Sequence, residues 1–69
     1  MHDTVRIDYT NWRGERGERT VTPIVWHFGA NQWHPEPQWL MDALDHDKGE
    51  RRTFAVAAIH SFSLPINQR

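Results

Sequence analysis

Near the start of the chain, apolar and polar positions take turns: Val5, Ile7 and Tyr9 alternate with Arg6, Asp8 and Thr10. A two-residue period marks a strand with one buried and one solvated face. Residues 11–18 interrupt the period with Gly14, Gly17 and alternating charges, and read as a solvated hairpin loop. Residues 19–26 are rich in β-branched side chains and predict a second strand. Within it Pro23 has no N–H to give a ladder, so it marks an edge, a bulge or a sharp bend. Gly29 and Asn31 signal a turn, and Trp33 reads as the start of a short third strand. Pro35 and Pro37 end that strand, since each fixes its own φ and restricts the residue before it.

Residues 38–45 carry apolar side chains on both faces, with Trp39, Met41 and Ala43 on one and Leu40 and Leu44 on the other. Such a strand is expected to be central in its sheet. Residues 45–50 form an acidic turn containing Gly49, and residues 51–58, with Phe54 and Val56 in alternation, the last long strand. Residues 59–62 close the molecule as a turn of helix or a short strand. The one helix-compatible window, residues 40–47, has no N-cap before it and fits better as a strand paired with residues 53–56. About five short strands, with a long first hairpin and a short last one, point to an all-β fold: a small, strongly bent five-stranded barrel.

Length and composition narrow this picture. A chain of 69 residues holds one domain, residues 1–69, and at that size burial only narrowly exceeds the entropy of ordering the chain. With no cysteine there is no disulfide to help. Four Trp, three Phe and one Tyr are the remaining resource, and the expectation is that these rings build the core, with self-association as the other natural support. A formal charge of −1 gives no bulk electrostatic argument for nucleic-acid binding. The mean hydropathy of −0.79 leaves no apolar run long enough for a membrane helix. Met1, His2 and Asp3 make no leader, so a cytoplasmic location and no membrane partner are expected.

Several short motifs, taken in order, resemble the WYL domain family. Tyr9 lies in the opening strand, residues 20–23 carry the Pro of the second, and Gln38-Trp39-Leu40 stands at the Trp-Tyr-Leu signature. A polar turn at residues 45–49, Arg52-Thr53-Phe54 as an Arg-x-Phe strand, and Ile59 just after it complete the order. The resemblance covers roughly residues 5–62. It implies an Sm-like β-barrel that senses a ligand, often a nucleotide or nucleic acid, through a basic pocket. Family members usually follow a DNA-binding helix-turn-helix segment, and none is expected within these 69 residues. It also departs from the pattern at Gln38, where the signature Trp would stand, at Trp39 in place of the Tyr, and at Ala58, where a basic residue is expected.

The candidate ligand-binding residues are Arg52, Trp39, Tyr9 and Gln38. Arg51 and Arg52 are adjacent on a strand and project to opposite faces, so only one can point at a pocket. By the resemblance that is Arg52, a planar fork suited to phosphate or carboxylate. The alternative is a strand whose arginines cover apolar surface and pair with Asp45 or Asp47 across the hairpin. Tyr9, Trp12, Trp33 and Trp39 offer ring faces for bases, with Arg6, Arg13, Arg16 and Arg19 to track phosphates. The interleaved Asp8, Glu15 and Glu18 weaken that field, and in so small a core structural tryptophans are the stronger reading. His27, His34 and His46 lack the spacing that preforms a metal site. His60-Ser61 lacks a nucleophile turn. No catalytic residue, metal or cofactor is therefore expected.

Two functions follow. The first is a non-enzymatic regulatory module that binds an anionic ligand, a nucleotide or single-stranded nucleic acid, with Arg52 holding the anion and Trp39 and Tyr9 walling the pocket. The second is a protein-interaction module, homo-oligomeric or with another protein as partner, that uses an open sheet edge and exposed aromatics.

Overall fold

The computed structural model describes residues 4–64; Met1, His2 and Asp3, read above as no leader, lie outside them. Five antiparallel strands form one sheet: β1 Val5–Thr10, β2 Arg16–Gly29, β3 Gln38–Asp45, β4 Glu50–Ala55 and β5 Ile59–Ser63. The first four follow one another as a meander, and β5 returns to the far side of β1, giving the order β4-β3-β2-β1-β5. A three-residue 3-10 turn, Val56–Ala58, links the two edge strands.

That short link dictates the shape. In a flat five-stranded sheet the edges would lie about 19 Å apart, four spacings of about 4.8 Å. The stretch from Ala55 to Ile59 spans at most about 14 Å when extended, and less as a 3-10 turn. The sheet must therefore curl, and the ring contacts confirm it. Tyr9 of β1 meets Phe54 of β4 edge to face, with centroids 4.9 Å apart, although two strands separate them in the sheet. The concave face so formed holds the core: Val5, Ile7, Tyr9, Val21, Met41, Ala43 and Phe54. Val56, Ala58 and Ile59 pack against it from the link and from the start of β5.

The expected closed barrel is found as a curled but open sheet. β4 stops at Ala55 and the chain turns before β5 begins, so no ladder joins β4 to β5. Strand 38–45 has the bounds read from sequence and is central, flanked by β2 and β4. Pro23 sits at a bulge, the register slipping between Pro23 and Val25. β2 is longer than expected at both ends, because pairing with β1 carries it back to Arg16 and pairing with β3 carries it on to Gly29. Trp33 opens no strand. It lies in the irregular connection between β2 and β3, where Asn31 Oδ1 accepts the N–H groups of Trp33 (2.9 Å) and His34 (2.8 Å). The last long strand ends three residues early, at the 3-10 turn, and residues 59–63 are a strand.

The tryptophans do not build the core. Trp12, Trp26, Trp33 and Trp39 are all about half exposed, and among the described residues Tyr9 and Phe54 are the buried aromatic rings. Two of the four lie outside the strands, and Trp26 and Trp39 lie where β2 and β3 extend beyond the strands that would cover them.

Candidate ligand-binding cleft

A cleft of about 570 Å³ opens at the end of the curl where Tyr9 and Phe54 meet. Three segments build it, each held by its own local chemistry. The first is the β1–β2 turn. Asn11 Oδ1 accepts the N–H groups of Arg13 and Glu15, both at 2.9 Å, and Gly14 takes a φ of +86° that a side chain would resist. The second is the β2–β3 connection, pinned by the Asn31 turn. The third is β4, delivered by the turn in which Asp45 Oδ1 accepts the N–H groups of Asp47 (2.9 Å) and Lys48 (3.3 Å) and Gly49 takes a φ of +70°.

The floor is polar chemistry on a buried base. Tyr9 is 6% exposed, and its hydroxyl oxygen accepts the Ala55 N–H at 3.4 Å, at the long end of the range. Burial raises the Tyr9 pKa above its ordinary value, while the Ala55 N–H and the positive charges of Arg52 and Arg19 pull against that shift. Both arginines line the same cleft as Tyr9, Arg19 from β2 and Arg52 from β4. Arg19 pairs in register with Ile7, and Arg52 with Ala43, so both share the concave face with the core.

The wall is aromatic. Trp12 and Trp33 stack with centroids 5.3 Å apart and planes 28° from parallel, joining the first two segments across the cleft mouth. The Arg13 guanidinium lies 5.4 Å from the Trp12 ring centre. A shallower depression continues past the same pair toward Pro35, Gln38 and Ala58.

Of the four residues read from sequence, Arg52 and Tyr9 line this cleft, but Trp39 and Gln38 do not. Trp39 is 56% exposed and packs edge to face on Phe28, 5.6 Å away, in the part of the β2–β3 ladder that extends beyond β1 and β4. Gln38 borders the neighbouring depression and donates to the Glu36 carbonyl at 3.1 Å. Arg52 also lies 3.9 Å from Asp45, one of the partners named in the alternative reading, and it donates to Glu50 of its own strand at 2.9 Å. Arg51 borders the cleft too but is held on the other face by Asp42 at 3.2 Å. The remaining arginines divide. Arg16 forms a two-point pair with Asp8 (2.8 and 3.0 Å), which lowers the Asp8 pKa and raises that of Arg16, and Arg6 stands 3.6 Å from Glu18. Arg19 has no carboxylate within 4.0 Å among the described residues, and it lies in the cleft.

Sequence reasoning grouped Arg19 with Arg6, Arg13 and Arg16 without singling it out as the one on the core face, and it missed Glu50 altogether. Both have a signal in the pattern. Arg19 shares the parity of Val21, and Glu50, Arg52 and Phe54 share that of one strand face. The histidines serve separate places: His27 donates to Asp42 at 3.1 Å, His46 bonds Thr22 at 2.7 Å and His34 lines the cleft.

No curated protein and no solved structure shows a significant match to the chain. The WYL domain model matches residues 2–64, nearly the whole sequence. In some families this domain is a regulatory, ligand-binding module. With its Arg-x-Phe strand bringing Arg52 and Phe54 to one cleft, the chain belongs to the WYL domain family.

Proposed function

We propose that the chain is a non-enzymatic regulatory domain whose cleft binds an anionic ligand bearing a planar ring, a nucleotide or single-stranded nucleic acid. The observation that carries this is the pairing of Arg19 and Arg52 around the buried Tyr9 beneath an exposed Trp12–Trp33 stack. Arginine forks suit phosphate, and exposed ring faces suit bases whatever their sequence. The site's own role for Trp39 passes to Trp12 and Trp33. The curl that brings β1 against β4 also supports reading the sheet as an Sm-like barrel left open at its β4–β5 seam.

The test is a titration of wild type with a short single-stranded oligonucleotide at low and moderate salt, followed by tryptophan fluorescence. Binding should weaken steeply with salt and quench emission. Arg52→Ala, shown folded by circular dichroism, should cost roughly 10- to 100-fold in affinity, the worth of a charge-assisted contact of about 1.5–3 kcal/mol. Arg51→Ala should cost much less, because Asp42 already occupies its guanidinium. Salt-independent behaviour, or no binding, removes this reading.

A second reading has its own observation. Trp26, Phe28, Trp39 and Phe62 are exposed and touch in pairs, Trp26 to Phe62 at 5.9 Å and Phe28 to Trp39 at 5.6 Å. Beside the unpaired edge of β5, they favour self-association with a second copy, which light scattering across a concentration series would reveal as salt-tolerant dimers.

A further inference from the structure

The cleft already contains an anion. Glu50 lines it, and its carboxylate oxygen accepts from Arg52 Nη1 at 2.9 Å, with both side chains about half exposed. Glu50 and Arg52 lie two residues apart on β4, at the two positions that a strand places on one face. Beneath them Asp45 is fully buried. Its Oδ1 serves the turn, while its Oδ2 has no hydrogen-bond partner and lies 3.9 Å from Arg52 Nε. Arg52 thus has one carboxylate that cannot leave and one, on the solvent side, that can.

We propose that Glu50 is a built-in competitor for the cleft's anion site, and that ligand binding exchanges its carboxylate on Arg52 for a phosphate. This rests on the anion-binding reading above. A tethered carboxylate two residues away acts at an effective concentration of millimolar or more, so a ligand with only one charge to offer Arg52 displaces it poorly. A ligand that also reaches Arg19 and stacks on Trp12 or Trp33 gains contacts that Glu50 does not make. Glu50 therefore lowers the cleft's affinity for every anion that must take Arg52, and ligands that combine phosphate with a ring keep the most binding after that loss. Asp45 keeps the guanidinium in place when Glu50 departs.

The experiment is a double-mutant cycle: wild type, Glu50→Gln, Arg52→Gln and the double variant, with Glu18→Gln as a control that removes the same charge outside the cleft. Each is confirmed folded by circular dichroism and thermal melting, then titrated with inorganic phosphate and with a ten-nucleotide oligothymidylate. Glu50→Gln should bind both probes about two- to fivefold more tightly than wild type, the range of an exposed ion pair. It should show no gain in the Arg52→Gln background, and Glu18→Gln should match wild type. An equal gain with and without Arg52, or an equal gain from Glu18→Gln, would show a general charge effect and overturn the proposal. Wild-type binding that Glu50→Gln leaves unchanged or weakens would overturn it too, leaving the anion reading intact. If neither wild type nor Glu50→Gln binds either probe, the anion reading itself fails and the competitor role falls with it.

Discussion

The concave face of this sheet has two ends that alternate apolar and polar residues alike and yet differ in burial. Val21, Met41, Ala43 and Phe54 are buried, whereas Phe28 and Trp39 at the far end, and Trp26 on the rung of Met41 but beyond β1, continue the same face about half exposed. The difference lies in what flanks each end. β1 pairs with β2 only over Arg16 to Val21, and β4 pairs with β3 only from Leu40 to Asp45. Past Val21, β2 has lost β1 on one side, and past Leu40 the sheet narrows to a two-stranded ribbon of Phe28–Gly29 with Gln38–Trp39; among the described rings, Phe62 of β5 reaches Trp26. A face becomes a core when strands curl over it. Two strands alone cannot do that.

The sharpest way to break this comparison is to truncate a ring at each end. Phe54→Ala removes a side chain that is 2% exposed and in edge-to-face contact with Tyr9. It should destabilise by about 3–5 kcal/mol, enough to unfold a domain of this size in a denaturant or thermal melt. An unchanged melting temperature would place the ring outside the core.

Next in size is the turn that brings β4 to the packed end. Gly49 takes a φ of +70°, and a Cβ built there meets nothing within 4 Å, so any penalty for Gly49→Ala is backbone conformation alone. The expected loss is about 1–2 kcal/mol, read from the urea midpoint at constant slope.

Trp39→Ala, at the open end, removes a larger ring than Phe54 yet should cost under about 1 kcal/mol, the worth of its cross-strand contact with Phe28. A loss as large as that of Phe54→Ala would mean that something covers the ribbon in solution.

The smallest effect concerns the seam between the two ends. On the reverse face Asp42 accepts from His27 of β2 at 3.1 Å, from Thr53 at 2.7 Å and from Arg51 at 3.2 Å, the last two on β4. Burial would raise the Asp42 carboxyl, but these hydrogen bonds outweigh it and hold the pKa below the ordinary 3.8. A carboxyl lowered on folding contributes stability that is present above its unfolded value and lost as pH falls through its folded one. Acid below about pH 3.8 should therefore loosen the stretch of β2 beyond β1 first. Hydrogen exchange should show the amides of Val25 to Phe28 opening ahead of Ile7 and Met41, and Asp42→Asn should remove that acid dependence.

Much of the fold was legible along the chain. The alternation of Val5, Ile7 and Tyr9, the bounds of β3, the break at Pro23 and the acidic turn before β4 each follow from local rules, since period, proline geometry and turn chemistry act within a few residues. Arg52 and Tyr9 were legible as residues that face one cleft, because a motif places them on strands whose faces alternation specifies. Other features depended on how far each strand is accompanied. That decided that Trp39 lies on an uncovered ribbon while Tyr9 is buried, and that the link at Val56–Ala58 curls the sheet without a ladder closing it. It also decided that Trp12 and Trp33, 21 positions apart on separate connections, stack across one cleft. Sequence periodicity specifies which way a side chain points. Whether another strand, another ring or water stands there is settled only when distant segments fold over it, because burial belongs to pairs of segments rather than to either one.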